Sequence, residues 1–102
     1  MTQHRIVYSG QVQGVGFRAS VARCVESLGP GPGLSAGSGS GLTGWVRNEP
    51  DGTVTVELDG DQPSLELFRA QLRAQRPDLV FDETVTAIDN PNRRNVGFEV
   101  RA

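Results

Sequence analysis

The apolar positions change period several times along the chain, and each change marks an element. Ile6-Val7-Tyr8 opens a strand predicted to run to about Val12. Phe17, Val21, Cys24, Val25 and Leu28 follow at steps of four, three, one and three, the stripe of one helix face. Trp45 and Val46 lie in a second strand from about Leu42 to Asn48. In a third, Val54, Val56 and Leu58 alternate with Thr53, Thr55, Glu57 and Asp59, so one buried and one wet face is expected. Between these two strands Asn48-Glu49-Pro50-Asp51-Gly52 reads as a turn, in which proline sets φ and Asp-Gly supplies the reversal. Pro63 suits the first turn of a second helix with Leu65, Phe68 and Leu72 on one face, and Pro77 closes it. A strand from about Val80 to Ile88, a turn at Asn90-Pro91-Asn92 and a closing strand with alternating Val96, Phe98 and Val100 complete the chain.

The order is βαββαβ. It predicts the α+β class and a ferredoxin-like α/β sandwich, an antiparallel sheet with two helices on one face. At 102 residues the chain has room for one core, so residues 1–102 are expected to form a single domain. One stretch breaks the plan. Residues 29–41, "GPGPGLSAGSGSG", are nearly all Gly, Pro and Ser and offer little apolar surface to offset ordering. They read as a flexible surface insertion, tolerable because loop closure costs only about 0.6 kcal/mol per doubling of length.

Charge and cysteine content narrow the function classes. A formal net charge of −2 argues against broad attraction to nucleic acid or to an anionic membrane. The basic residues are all arginine. Cys24 is the only cysteine, which excludes an internal disulfide and a cysteine-based zinc site. No stretch approaches transmembrane length, and the N-terminus lacks a signal-peptide apolar region. The expectation is a soluble, cytoplasmic monomer with no nucleic-acid or membrane partner.

The stretch "VQGVGFR" at 12–18 carries the first candidate chemistry. Gly14 and Gly16 sit where a strand hands over to a helix, and the free N–H groups and dipole of a helix start favour an anion. Glycine lets the loop curl so that amides converge, and Arg18 brings a planar fork able to bind two oxygens. The competing local reading is a tight turn with Arg18 as a solvated surface residue. A match to the dinucleotide pattern G-x-G-x-x-A is weak, because no parallel strand with an acidic residue follows. Asn48 alone reads as a turn residue, Asp51 and Gly52 as turn-makers, and Trp45 and Cys24 as apolar packing. His4 reads as a solvated terminal residue and Arg47 as lying on a wet face.

Two longer segments sharpen this. "GQVQGVGFR" (10–18) and "LTGWVRNEPDGTVTVELDG" (42–60) resemble, in order, the two signature segments of the acylphosphatase family. "LELFRAQL" (65–72) and "GFEVR" (97–101) agree more weakly, so the resemblance covers most of the chain outside 29–41. It implies hydrolysis of the carboxyl-phosphate bond of a small acyl phosphate, without metal or cofactor. It implies further that the backbone amides of Gln13, Gly14, Val15, Gly16 and Phe17 cradle the phosphate. Arg18 would bind its oxygens, and Asn48 would hold the attacking water. The chain departs from the family in the 29–41 insertion and in Ala19-Ser20 after Arg18. "QRPDLVFDETV" (75–85) also lacks the usual Gly-Pro stretch. The rival readings are a non-catalytic phosphate- or carboxylate-binding module on the same fold and, more distantly, an RNA-binding sheet, against which the acidic balance counts.

Overall fold

The computed structural model describes residues 2–28, 42–88 and 97–101; the 29–41 segment and the Asn90-Pro91-Asn92 turn lie outside these. The elements are β1 (Thr2–Gly10), α1 (Phe17–Leu28), β2 (Thr43–Asn48), β3 (Val54–Gly60), α2 (Gln62–Gln75), β4 (Phe81–Ile88) and β5 (Phe98–Arg101). They form one five-stranded sheet in the order β4-β1-β3-β2-β5, with α1 packed on α2, β2 and β5, and α2 also on β3. This is the expected α+β, ferredoxin-like plan.

The sheet is mostly antiparallel, but β5 runs parallel to β2, with Val46 beside Val100. β4 lies at one edge, antiparallel to β1, and β5 at the other, running the same way as β1 and β2.

Between sheet and helices lies the core the periodicity pointed to. Ile6, Tyr8, Val46, Val54, Val56 and Leu58 face Phe17, Val21, Cys24 and Val25 of α1 and Leu65, Phe68 and Leu72 of α2, all buried. Tyr8, Phe17 and Phe81 meet edge-to-face with ring centroids 5.1–5.4 Å apart, which ties β1, the start of α1 and β4 together. Asp61 caps α2 by accepting from the Ser64 N–H at 2.9 Å, and Pro63 sits in the first turn, where its missing N–H costs nothing.

Several expectations are corrected. β1 ends at Gly10 rather than near Val12, and β4 begins at Phe81, leaving Val80 exposed. β3 is buried on both faces, because it is the central strand and its neighbours shield Thr55, Glu57 and Asp59. Those polar groups are hydrogen-bonded: Asp59 accepts from Gln3, and Glu57 accepts from both Arg5 and the Trp45 indole. Trp45 is buried as expected, although outside the helix-side cluster, with the guanidinium groups of Arg47 and Arg101 5.0 and 4.8 Å from its ring centroid. His4 is buried within β1 rather than solvated, opposite Leu58 and Ala87 on the strands either side.

Candidate active site

The chain leaves β1 at Gly10 and reaches α1 at Phe17 through a loop that turns twice through positive φ, +77° at Gly14 and +78° at Gly16. Side chains with a Cβ rarely adopt these angles, so both glycines are required by the path. The ends of the loop are pinned, since Val12 and Phe17 are buried in the core. The first helical bond, from the Ser20 N–H to the Gly16 carbonyl at 3.0 Å, starts α1 directly after the second glycine.

A cleft of about 500 Å³ opens over this loop. Gly14, Gly16, Phe17 and Arg18 line it from the loop and the helix start, Ala19, Ala22 and Arg23 from the next turn of α1, Asn48 from the end of β2, and Val12 and Val100 from the flanking segments. At about 100° per residue, Arg18, Ala19, Ala22 and Arg23 span roughly 140° of α1, opposite the stripe that enters the core. Asn48 arrives because β2 ends there, opposite Val54, and the chain turns. Its side-chain amide makes no hydrogen bond among the described residues, which leaves a donor pair and an acceptor for a ligand.

The turn after Asn48 is tightly built. The Glu49 N–H donates to the Thr53 carbonyl at 2.8 Å, the Gly52 N–H donates to the Glu49 carbonyl at 3.1 Å, and Asp51 accepts from both the N–H and the hydroxyl of Thr53. Asp51 and Gly52 are therefore turn-makers, as expected. The Gln13 side-chain amide donates to the carbonyls of Glu49 and Thr53 at 2.7 and 2.9 Å. That strap fixes the loop to the hairpin and so sets the spacing between Gly14 and Asn48.

Of the six predicted loop positions, Gly14, Gly16, Phe17 and Arg18 line the cleft, whereas Gln13 and Val15 do not. Val15 is exposed, and its carbonyl accepts from Arg76 at 2.9 Å. Arg18 donates from Nη1 to the Arg101 carbonyl at 2.6 Å, so β5 steadies the guanidinium while its other N–H groups remain available.

No carboxylate lines the cleft, and among the described residues neither Arg18 nor Arg23 has an acidic partner. By contrast Arg47, Arg69, Arg73, Arg76 and Arg101 are all paired with carboxylates. The cleft is thus a positive pocket walled by alanine, valine and glycine, a setting for a small anion carrying a compact organic group. A hydrogen bond from Thr55 and the neighbouring Arg47 hold the Glu49 carboxyl, which does not line the cleft, below its usual range. Among the described residues no group of three His, Cys, Asp or Glu is placed to hold a metal ion. Nor is any described helix long and apolar enough to cross a membrane.

Sequence reasoning missed Arg23, Val100 and Arg76. Helix phase could have placed Arg23 beside Ala19 and Ala22; nothing local connects Val100 or Arg76 to the loop.

Comparison with known proteins decides the family. The family model described as Acylphosphatase matches residues 34–100. The chain belongs to the acylphosphatase family. An acylphosphatase of Bacillus licheniformis is 33% identical over 96% of this chain and all of its own length, and one of Anaeromyxobacter dehalogenans is 43% identical over 95% and 91%. The acylphosphatase structure from Bacillus subtilis superposes with a TM-score of 0.78 at 28% identity, covering all of both chains. Full-length HypF in its phosphate- and nucleotide-bound form shares the fold, with a TM-score of 0.76 at 24% identity over 99% of this chain and 12% of that one. The activity is that of an acylphosphatase, a hydrolase acting on acyl phosphates. The family model begins beyond the 13–18 loop, so membership by that match owes nothing to the glycines or Arg18.

Proposed function

We propose that the cleft between α1 and the end of β2 is the active site, with Arg18 as phosphate clamp and Asn48 as water-positioner. The observation that carries this is that the two positive-φ glycines, Arg18 and Asn48 line one cleft without a carboxylate. The phosphoryl group lies against the amides of the 13–17 loop, with Arg18 on its oxygens. Asn48 accepts from a water and aims it at phosphorus. The water oxygen bonds to phosphorus as the bond to the acyl oxygen breaks, and the carboxylate leaves with the electron pair. Its conjugate acid has a pKa of about 4, so departure needs no general acid. An asparagine cannot take a proton near neutral pH, so the water's proton goes to a phosphate oxygen or to solvent. Catalysis is then positioning plus stabilisation of charge on the equatorial oxygens, and it uses neither metal nor cofactor.

Each lost donor in such a site costs about 2.7–4 kcal/mol, or 10²–10³ in rate. The test follows hydrolysis of benzoyl phosphate by the purified chain with a chelator present, beside Arg18→Ala and Asn48→Ala. Chelator-resistant turnover that falls 10²-fold or more in either folded variant is expected. Turnover that survives both substitutions would remove the cleft from the chemistry, and phosphate binding without turnover would leave an anion-binding module. The substrate is a small acyl phosphate, taken up by a monomer in the cytoplasm. Residues 1–102 act as a single domain, with 29–41 as a tolerated insertion. Sedimentation of a dimer as the active species would overturn the monomer.

A further inference from the structure

Arg76 stands just beyond α2 and lines no part of the cleft. Its side chain is nonetheless held fast. Nε and Nη2 donate to the two carboxylate oxygens of Asp78 at 3.1 and 2.9 Å. Nη1 donates to the Val15 carbonyl at 2.9 Å and to the Ser20 hydroxyl at 3.1 Å. Four of the five guanidinium N–H groups are thereby used in one planar fork. Ser20 is fully buried, and its hydroxyl in turn donates to the Gly16 carbonyl at 3.2 Å.

A peptide unit is planar, and in the trans form its C=O and N–H point to opposite sides. Holding the Val15 oxygen toward α2 therefore turns the Gly16 N–H the other way, toward the cleft that Gly16 lines. Turning this peptide over changes only ψ of Val15 and φ of Gly16, and a glycine takes either sign of φ, so the peptide could flip without such a tether. A cation on the carbonyl also polarises the amide and makes its N–H a better donor, as in any hydrogen-bonded chain. We infer that Arg76, oriented by Asp78, is a positioning residue that aims and strengthens the Gly16 amide as a phosphate donor. The inference rests on the phosphate-cradle reading above and names a part of it outside both signature segments.

The experiment compares wild type, Arg76→Ala, Arg76→Lys and Asp78→Asn as full chains. It measures kcat and KM for benzoyl phosphate, the competitive Ki of inorganic phosphate, and the Gly16 amide resonance during phosphate titration. The expected result for Arg76→Ala is a roughly tenfold rise in KM and Ki, and loss of most of the phosphate-induced shift at Gly16 while Gly14 still responds. Arg76→Lys should fail to rescue, because an ammonium has no planar fork to meet Asp78, Val15 and Ser20 together. Asp78→Asn should shift Ki the same way by a smaller factor, and it carries the test alone if Arg76→Ala does not fold. An unchanged Ki and Gly16 response in Arg76→Ala, or in Asp78→Asn where only that folds, overturns the inference. Hydrolysis indifferent to Arg18→Ala would instead sink the underlying reading, so the two failures are told apart.

Discussion

Arg18 meets two demands that a different cation could not meet together. One nitrogen is committed to the Arg101 carbonyl at 2.6 Å, and the rest of the fork is left for a ligand. Arg18→Lys keeps the charge but offers a single point donor that must choose between them. Activity on benzoyl phosphate should fall about 10²-fold, closer to Arg18→Ala than to wild type; wild-type rates in the lysine variant would show that charge alone suffices. Asn48→Asp is the sharper test of the other wall, since it adds an anion to a cleft that has none. KM and phosphate Ki should both rise while the fold persists, whereas Asn48→Ala should act mainly on kcat. These two residues were legible in sequence because each falls inside a long motif. Arg76 was not, since its contact with Val15 spans most of the chain and no local pattern announces a bond to a carbonyl that far away.

At the scale of elements, the site depends on how closely β2 and β3 approach. Gly44 has φ +150°, and a Cβ there would fall on the Glu57 carbonyl of the paired strand. Because the obstacle is backbone, Gly44→Ala should destabilise the sheet by at least about 3 kcal/mol, read as a large drop in Tm or as failure to fold. A Tm near wild type would mean that the strands can separate without loss. The Gln13 strap is milder. Gln13→Ala removes two hydrogen bonds to the turn after Asn48, worth about 0.5–1.5 kcal/mol each, and should raise KM as the loop drifts from the hairpin. Both helices were legible from their apolar stripes, and so was the hairpin, because Pro-Asp-Gly between alternating segments has few other uses. The two-sided burial of β3 was not legible. An alternating strand reads the same at an edge or a centre, and only the pairing order makes Glu57 and Asp59 interior.

Across the whole molecule, pH should act on stability and on catalysis in different ranges. Several carboxyls are held below their ordinary range: Glu49 by Thr55 and Arg47, Asp51 by Thr53, Asp61 by Ser64 and Asp78 by Arg76. A group whose folded pKa is depressed contributes stability above its unfolded value, about 4 for a carboxyl, and loses it as pH falls through the folded value. Tm should therefore hold from neutral pH down to about 5 and decline steadily below about 4. The cleft itself is lined by no titratable side chain other than arginine, whose charge is fixed throughout this range. kcat should accordingly stay level between about pH 5 and 8, and activity should be lost only where the fold begins to go. His4 cannot serve as a hidden base, being buried in β1 between Leu58 and Ala87 and absent from the cleft lining. A sharp break in kcat within that window that vanishes in His4→Ala would contradict this account. A level profile would mean that the site works by geometry and fixed charge, which a pocket built from glycine amides, one asparagine and arginines is equipped to do.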